Sequence, residues 1–330
     1  MLLRWLGACA RLTIPCAALA AVVLAIPVPA ASGQAGPPCG ASTTATLETV
    51  DGMVASNIDR GELGGSETQA DLEHVEAAPD LLAAVAADNA RATEKAVERL
   101  VYHQGWHIVR LRVLDSSGNL LADFGGPAVI APVPGVLRSA AGATIGTFVM
   151  SVQDDVGFTK LEVRAIGDPI GIYVGGLLVA QLGGSFPKQE PAGTDVLLRG
   201  VHYAADRLTF TAFPIGTLDA VIAVPAPAPS LVRESCAMVG VAEIGRVAER
   251  LSLRFHPLVS SYGNYVEVVH SETGAIVVVR IGLRAIAGSE GSGPLALPSR
   301  GTVSYEGRLW SVFSFAPTPP ATIYLLIPAT

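Results

Sequence analysis

The sequence predicts an α+β protein built as two tandem units, each a long helix followed by an antiparallel sheet, with the second unit reduced. A repeated closing element is the first observation. Arg199-Gly200, Tyr203, Arg207-Leu208 and the aromatic run to Phe213 end in Val221-Ile222-Ala223-Val224-Pro225. The same order returns as Arg300-Gly301, Tyr305, Arg308-Leu309, the run to Phe315, and Tyr324 to Pro328, offset by 101 to 103 residues. Such self-similarity marks related units in tandem. The second observation is a change of period. Apolar residues recur at helical spacing up to Tyr102, and from Trp106 they alternate in strand fashion. Composition agrees: half the 330 residues are hydrophobic, 15% are charged, and 35 are glycine, which fits a globular chain with many turns and excludes disorder.

The first 35 residues read as an export signal. Arg4 and Arg11 flank the apolar run Leu12 to Ile26, and small residues follow at Ala30, Ala31, Gly33 and Ala35. The run is short for a membrane span, which needs about 20 residues. Cleavage after Ala31 or Ala35 is expected, and an uncleaved N-terminal anchor is the alternative. Without this segment the chain keeps 20 basic against 29 acidic residues and contains no basic run, so nucleic acid is not an expected partner. Cys9 and Cys16 leave with the signal. The two remaining cysteines, Cys39 and Cys236, are expected to pair, as cysteines of exported proteins usually do. Each lies just before a predicted helix.

Residues 36–105 form the helical part of the first unit. Leu47, Val50, Val54 and Ile58 share one helix face until Gly61, Gly64 and Gly65 interrupt it. Ser66 is placed to cap a second helix, and Pro79 sits well in the first turn of a third that ends near Tyr102. Residues 106–225 carry the first sheet. His107 to Leu114 and Leu120 to Phe124 flank the turn Asp115-Ser116-Ser117-Gly118-Asn119. Thr144 to Gln153 is a strand, Asp154-Asp155-Val156-Gly157 a turn, and Phe158 to Ile166 a returning strand. Ile170 to Leu182 is a hairpin about Gly175-Gly176. The prolines of 226–229 form a stiff linker. In residues 230–330 a helix from about Arg233 to Phe255 is followed by a hairpin of Tyr265 to Val269 with Ala275 to Ile281, then by the repeated closing element.

A helical segment feeding a hairpin with that Asp-Ser-Ser-Gly-Asn turn resembles the Cache class of extracytoplasmic sensor domains. So do Trp106 to Val113, Asp123 to Pro127 and Ser151-Val152-Gln153-Asp154-Asp155. The likeness is to the kind found in actinobacteria, and it covers roughly 48–225 and, more weakly, the second unit. It implies a PAS-like sheet behind a long N-terminal helix, and a signal relayed by a separate membrane partner, because no kinase, chemotaxis or cyclase module follows in this sequence. The tyrosine, arginine, tryptophan and aspartate pattern of amino-acid-binding Cache domains is not recognisable here.

Arg110 and Arg112, on one strand face, are the leading candidate binding residues. Two guanidinium groups about 6.6 Å apart along a strand suit a carboxylate. Gln153, Asp154 and Lys160 lie around the predicted turn, and Tyr173, His202 and Tyr203 are candidates to line a pocket. Asp154-Asp155 reads first as a solvated turn, and His103 with His107 as helix-end and strand-start residues flanking Gly105. No nucleophile elbow, paired Cys-x-x-Cys, zinc-protease string or phosphate loop occurs, and no motif requires a cofactor or metal. The expected function is that of an exported, non-enzymatic, sensor-like protein binding a small molecule or an envelope protein. A structural or interaction module of the cell envelope, without a small-molecule ligand, is the alternative.

Overall fold

Four α-helices come first among the described residues because their apolar positions hold a helical period: α1 (Thr43–Gly64), α2 (Ser66–Ala77), α3 (Pro79–Ala86) and α4 (Ala90–Val101). The computed structural model describes residues 38–255, 262–291, 293, 294, 296–317 and 319–329, without the side chains of 254 and 255. The expected export signal over 1–35 lies outside these residues. Leu47, Val50, Val54 and Ile58 are buried on α1 as predicted. The single helix expected after Pro79 is two. Asp88, at a φ of 49°, breaks it, and the Asn89 side chain caps α4 by accepting from the Ala92 N–H at 3.1 Å.

Strands follow in the order β1 (Arg110–Asp115), β2 (Leu120–Gly125), β3 (Val129–Ile130), β4 (Val133–Arg138), β5 (Thr144–Ser151) and β6 (Gln153–Asp154). Next come α5 (Asp155–Ala165), β7 (Ile170–Val174), β8 (Leu177–Leu182), β9 (Asp195–Leu198), β10 (Val201–Phe213) and β11 (Gly216–Val224). After a short α6 (Pro229–Val232), helices α7 (Cys236–Phe255) and α8 (Tyr262–Thr273) lead to five more strands. These are β12 (Ile276–Ile281), β13 (Arg284–Gly288), β14 (Arg300–Tyr305), β15 (Arg308–Phe315) and β16 (Ala321–Pro328).

The α+β class holds, and every pairing in the three sheets is antiparallel. The sheets share a plan. Sheet one runs β2-β1-β5-β4, sheet two centres on β10-β11-β7-β8 with β9 on β10, and sheet three runs β13-β12-β16-β15-β14. In each, the first hairpin pairs through its leading strand with the last strand, and the penultimate strand lies beyond. The stretch expected as one sheet over 106–225 therefore contains two of the three. The repeated closing element is β10-β11 in sheet two and β15-β16 in sheet three. Its leading part differs, because Arg300–Tyr305 is a separate strand paired with β15, whereas Val201 to Ala204 already belongs to β10 and pairs with β9.

Two predicted strands are helices. Phe158 to Ile166 lies largely in α5, where Phe158, Thr159, Glu162 and Ala165 are buried at helical spacing. Tyr265 to Val269 belongs to α8, whose buried face is Tyr262, Tyr265, Val266, Val269 and Thr273. Both segments are rich in β-branched and aromatic residues, and tertiary burial of one helical face overrides that strand preference.

Sheet one packs on α2, α3 and α4 around Leu111, Leu137, Phe148 and Met150. The main core lies elsewhere. α1 and α5 cover sheet two, α7 and α8 cover sheet three, and the helices pack on one another between the sheets. Both sides of the 226–229 linker share this core. Cys39 and Cys236 form a disulfide at the N-terminal ends of α1 and α7, as expected from their positions, beside the Pro38–Ser235 bridge. Among the described residues no helix is long and apolar enough to cross a membrane.

Candidate functional site

Arg110 and Arg112 do clamp a carboxylate, and it belongs to the chain. Strand alternation puts both on one face of β1, and the hairpin register sets Arg112 opposite Asp123 of β2. Arg110 donates from Nε to Asp123 Oδ1 at 2.8 Å and also bonds the Gly126 carbonyl. Arg112 donates to Asp123 Oδ2 from Nε at 2.9 Å and from Nη2 at 2.5 Å. Both guanidinium groups lie over the Phe213 ring, at 5.4 and 4.6 Å from its centre. Burial works to raise the Asp123 carboxyl, but the hydrogen bonds and charges of the two arginines outweigh it and hold the group below the usual range. Phe213 pairs with Val129, and Val129 with Asp154, so this cluster forms the seam between sheets one and two.

The other predicted site residues do not come together in one site. Asp154 caps α5, its Oδ1 accepting from the Gly157 N–H at 2.6 Å. Gln153 is buried beside that cap. Lys160 points to solvent from α5. Tyr173 is fully buried and donates its hydroxyl to the Pro187 carbonyl at 3.1 Å, and burial raises its phenol to about 12. Tyr203 packs against the same small apolar cluster, and exposed His202 faces Asp195 at 3.4 Å. His103 stacks on Trp106, whereas His107 turns to Glu67, so the two rings share no ligand.

A recess that sequence reading missed lies between α1, α2, α5 and α8. It is a groove of about 860 Å³, lined by Asn57, Arg60, Ser66, Asn264, Glu267 and Ser271 among others. The break at Gly64-Gly65, where α1 gives way to α2, forms one wall. Asn57 donates from Nδ2 to the Glu272 carbonyl at 2.8 Å and fixes α1 to α8 at the groove. Beneath it lies Glu162, fully buried, with neither carboxyl oxygen hydrogen-bonded. Burial first, then the charges of Glu272 and Asp59, push the Glu162 carboxyl well above its ordinary value. The groove thus offers amide, hydroxyl and carboxylate groups around one arginine. The only sequence signal was the run of glycines at 61, 64 and 65, because its lining comes from segments about 200 residues apart.

No family model and no curated protein matches the chain. Among solved structures, the Vibrio cholerae LuxQ periplasmic domain overlaps 56% of this chain and 97% of its own, at 9% identity and a TM-score of 0.30. An extracellular ligand binding receptor from Desulfohalobium retbaense overlaps 55% of this chain and 40% of its own, also at 9% identity and 0.30. A second structure of the LuxQ periplasmic domain gives 8% identity and 0.26. Likenesses at these TM-scores carry no functional argument.

Asp154 is engaged as a helix cap, and the His103 and His107 rings are held by Trp106 and Glu67. Among the described residues no group of three or more His, Cys, Asp or Glu side chains is arranged to hold a metal ion.

Proposed function

We propose that this is an exported, sensor-like protein without enzymatic activity, which binds a small polar molecule outside the cytoplasm and hands the signal to a separate membrane partner. The observation that carries the reading is the polar groove between α1, α5 and α8, held on helix-backed antiparallel sheets like those the Cache resemblance implies. The Cys39–Cys236 disulfide fits an oxidising compartment. Ser66 and Asn264 supply hydrogen-bonding groups, and Arg60 and Glu267 add charge, as small-molecule sites require. Arg110 and Arg112 keep a different role in this reading, as the Asp123-paired seam joining sheets one and two.

A second reading rests on its own observation. Leu177 and Val179 on β8, with Leu197 on β9 and Val201 on β10, leave large apolar side chains exposed on sheet two. Those residues favour an interaction module of the cell envelope. A thermal-shift screen of amino acids, organic acids, amines and nucleobases separates the two. A ligand at one hundred times its dissociation constant adds about 2.7 kcal/mol and several degrees to the midpoint. Stabilisation that Asn264→Ala abolishes supports the groove. No shift across all four classes overturns small-molecule binding and leaves the envelope reading.

A further inference from the structure

Helix α1 is seated among carboxyl groups along its whole buried length. At Gly52 it meets Asp206 of β10 so closely that a Cβ there would lie 2.9 Å from Asp206 Oδ2, an oxygen with no hydrogen-bond partner. Glu48, one turn earlier, faces the same carboxyl. Asp51, 1% exposed, points the other way, toward Glu243 and Arg246 of α7 and Asp168 in the α5–β7 connection. Arg246 spends its Nε on Glu243, at 2.8 and 3.0 Å, and its Nη1 on the Ile166 carbonyl. It reaches Asp51 and Asp168 only at 3.9 and 4.0 Å. Arg250 acts on Asp168 from the next turn of α7. Two turns further along α1, Asp59 faces Glu162 of α5 and Glu272 of α8, with Arg60 beside it.

So many buried acids around so few cations cannot all be ionised, because like charges in a poorly solvated space repel and each loses its hydration. We propose that α1 is a proton-dependent latch: protons held at its interfaces with β10, α5 and α7 keep it seated, and it loosens as those protons leave. Burial, then the neighbouring Glu48 charge, raises Asp206 to about 6. Asp168 and Asp51 are raised too, by burial above all, and Asp51 by Glu243 and Asp168 as well. The sign follows from linkage. A carboxyl whose value in the seated state lies above its free value favours that state at low pH, and the preference is lost as pH rises through the seated value. For Asp206 and Asp168 the sensitive window therefore opens near pH 4, at the free value, and closes just above pH 6. The C-terminal part of α1 also walls the groove, so the latch couples groove shape to pH.

Hydrogen exchange on the full, disulfide-bonded chain tests the latch. The ratio of α1 exchange, 43–64, to that of α4, 90–101, is compared at pH 5.5 and 7.5 after correction for intrinsic amide rates. Asp206 alone, moving from 3.8 to about 6, makes α1 opening about fourfold easier at the higher pH, and Asp168 and Asp51 add to it in the same direction. Asp206→Asn should shrink the change by about that factor. Should that variant fail to fold, Glu48→Gln, at a partly exposed position, lowers the Asp206 value and shrinks the change in the same sense. An α1-to-α4 ratio that does not move with pH overturns the latch. So does one that moves equally in wild type and variant.

Discussion

Asp123 holds two guanidinium groups with one carboxylate. Its removal leaves Arg110 and Arg112 partly buried with only the Gly126 carbonyl and the Phe213 ring for company. Losing one partner of a charged hydrogen-bonded group costs about 1–3 kcal/mol, and the lower end applies because Asp123 keeps some contact with water. Asp123→Asn should therefore lower the unfolding midpoint at pH 7. The carboxyl is depressed in the folded chain, so its contribution is present above the unfolded value and lost as pH falls through the folded one. The gap between the unfolding midpoints of the two proteins should begin to narrow below about pH 4. A gap that does not narrow as pH falls would show that the residue acts by shape and not by charge.

At the scale of elements, α5 shows how a helix can hide in a strand-like sequence. Val156, Phe158, Val163 and Ile166 favour strands, yet Phe158, Thr159, Glu162 and Ala165 fall on one helical face, with a cap at Asp154. A charged residue at that face, Glu162, broke the apolar pattern and made the period hard to see. Asp154→Ala removes the cap and should cost about 1 kcal/mol, read as a lower denaturant midpoint with an unchanged slope. A change in slope would instead mean that the compactness of a state had altered. α1, by contrast, was legible, because Leu47, Val50, Val54 and Ile58 repeat without interruption. The β1–β2 hairpin was legible too, since its Asp115 to Asn119 turn is local: Asp115 accepts from the backbone of Ser117 and Asn119 at 2.7 and 2.8 Å. The groove was not, since its walls meet only after α1, α5 and α8 have packed. The arginine clamp was half legible. Its geometry could be read from alternation, but its occupant depended on strand register.

For the whole molecule, the shared strand plan of the three sheets means that most pairings span short stretches of chain, while the main core joins α1 to α7 and α8 across about 200 residues. The disulfide bridges that span, closing a separation of 197 residues. Constraining so long a loop in the unfolded chain contributes about 2–5 kcal/mol. Replacing both cysteines by serine should lower the midpoint accordingly and expose α1 first, read as faster exchange over 43–64 than over 276–288. Uniform loss across both segments would place the contribution in the unfolded state alone.

The same bond has a mechanical consequence. A pull applied upstream of Cys39 and at the far end of the chain passes straight through the bridge into α7. Everything from Gly40 to Ser235 then hangs outside the load path, including sheets one and two and the whole of α1. At about 3.6 Å per residue, roughly 700 Å of contour length is hidden from tension until the bridge is reduced. Only α7, α8 and sheet three bear the strain.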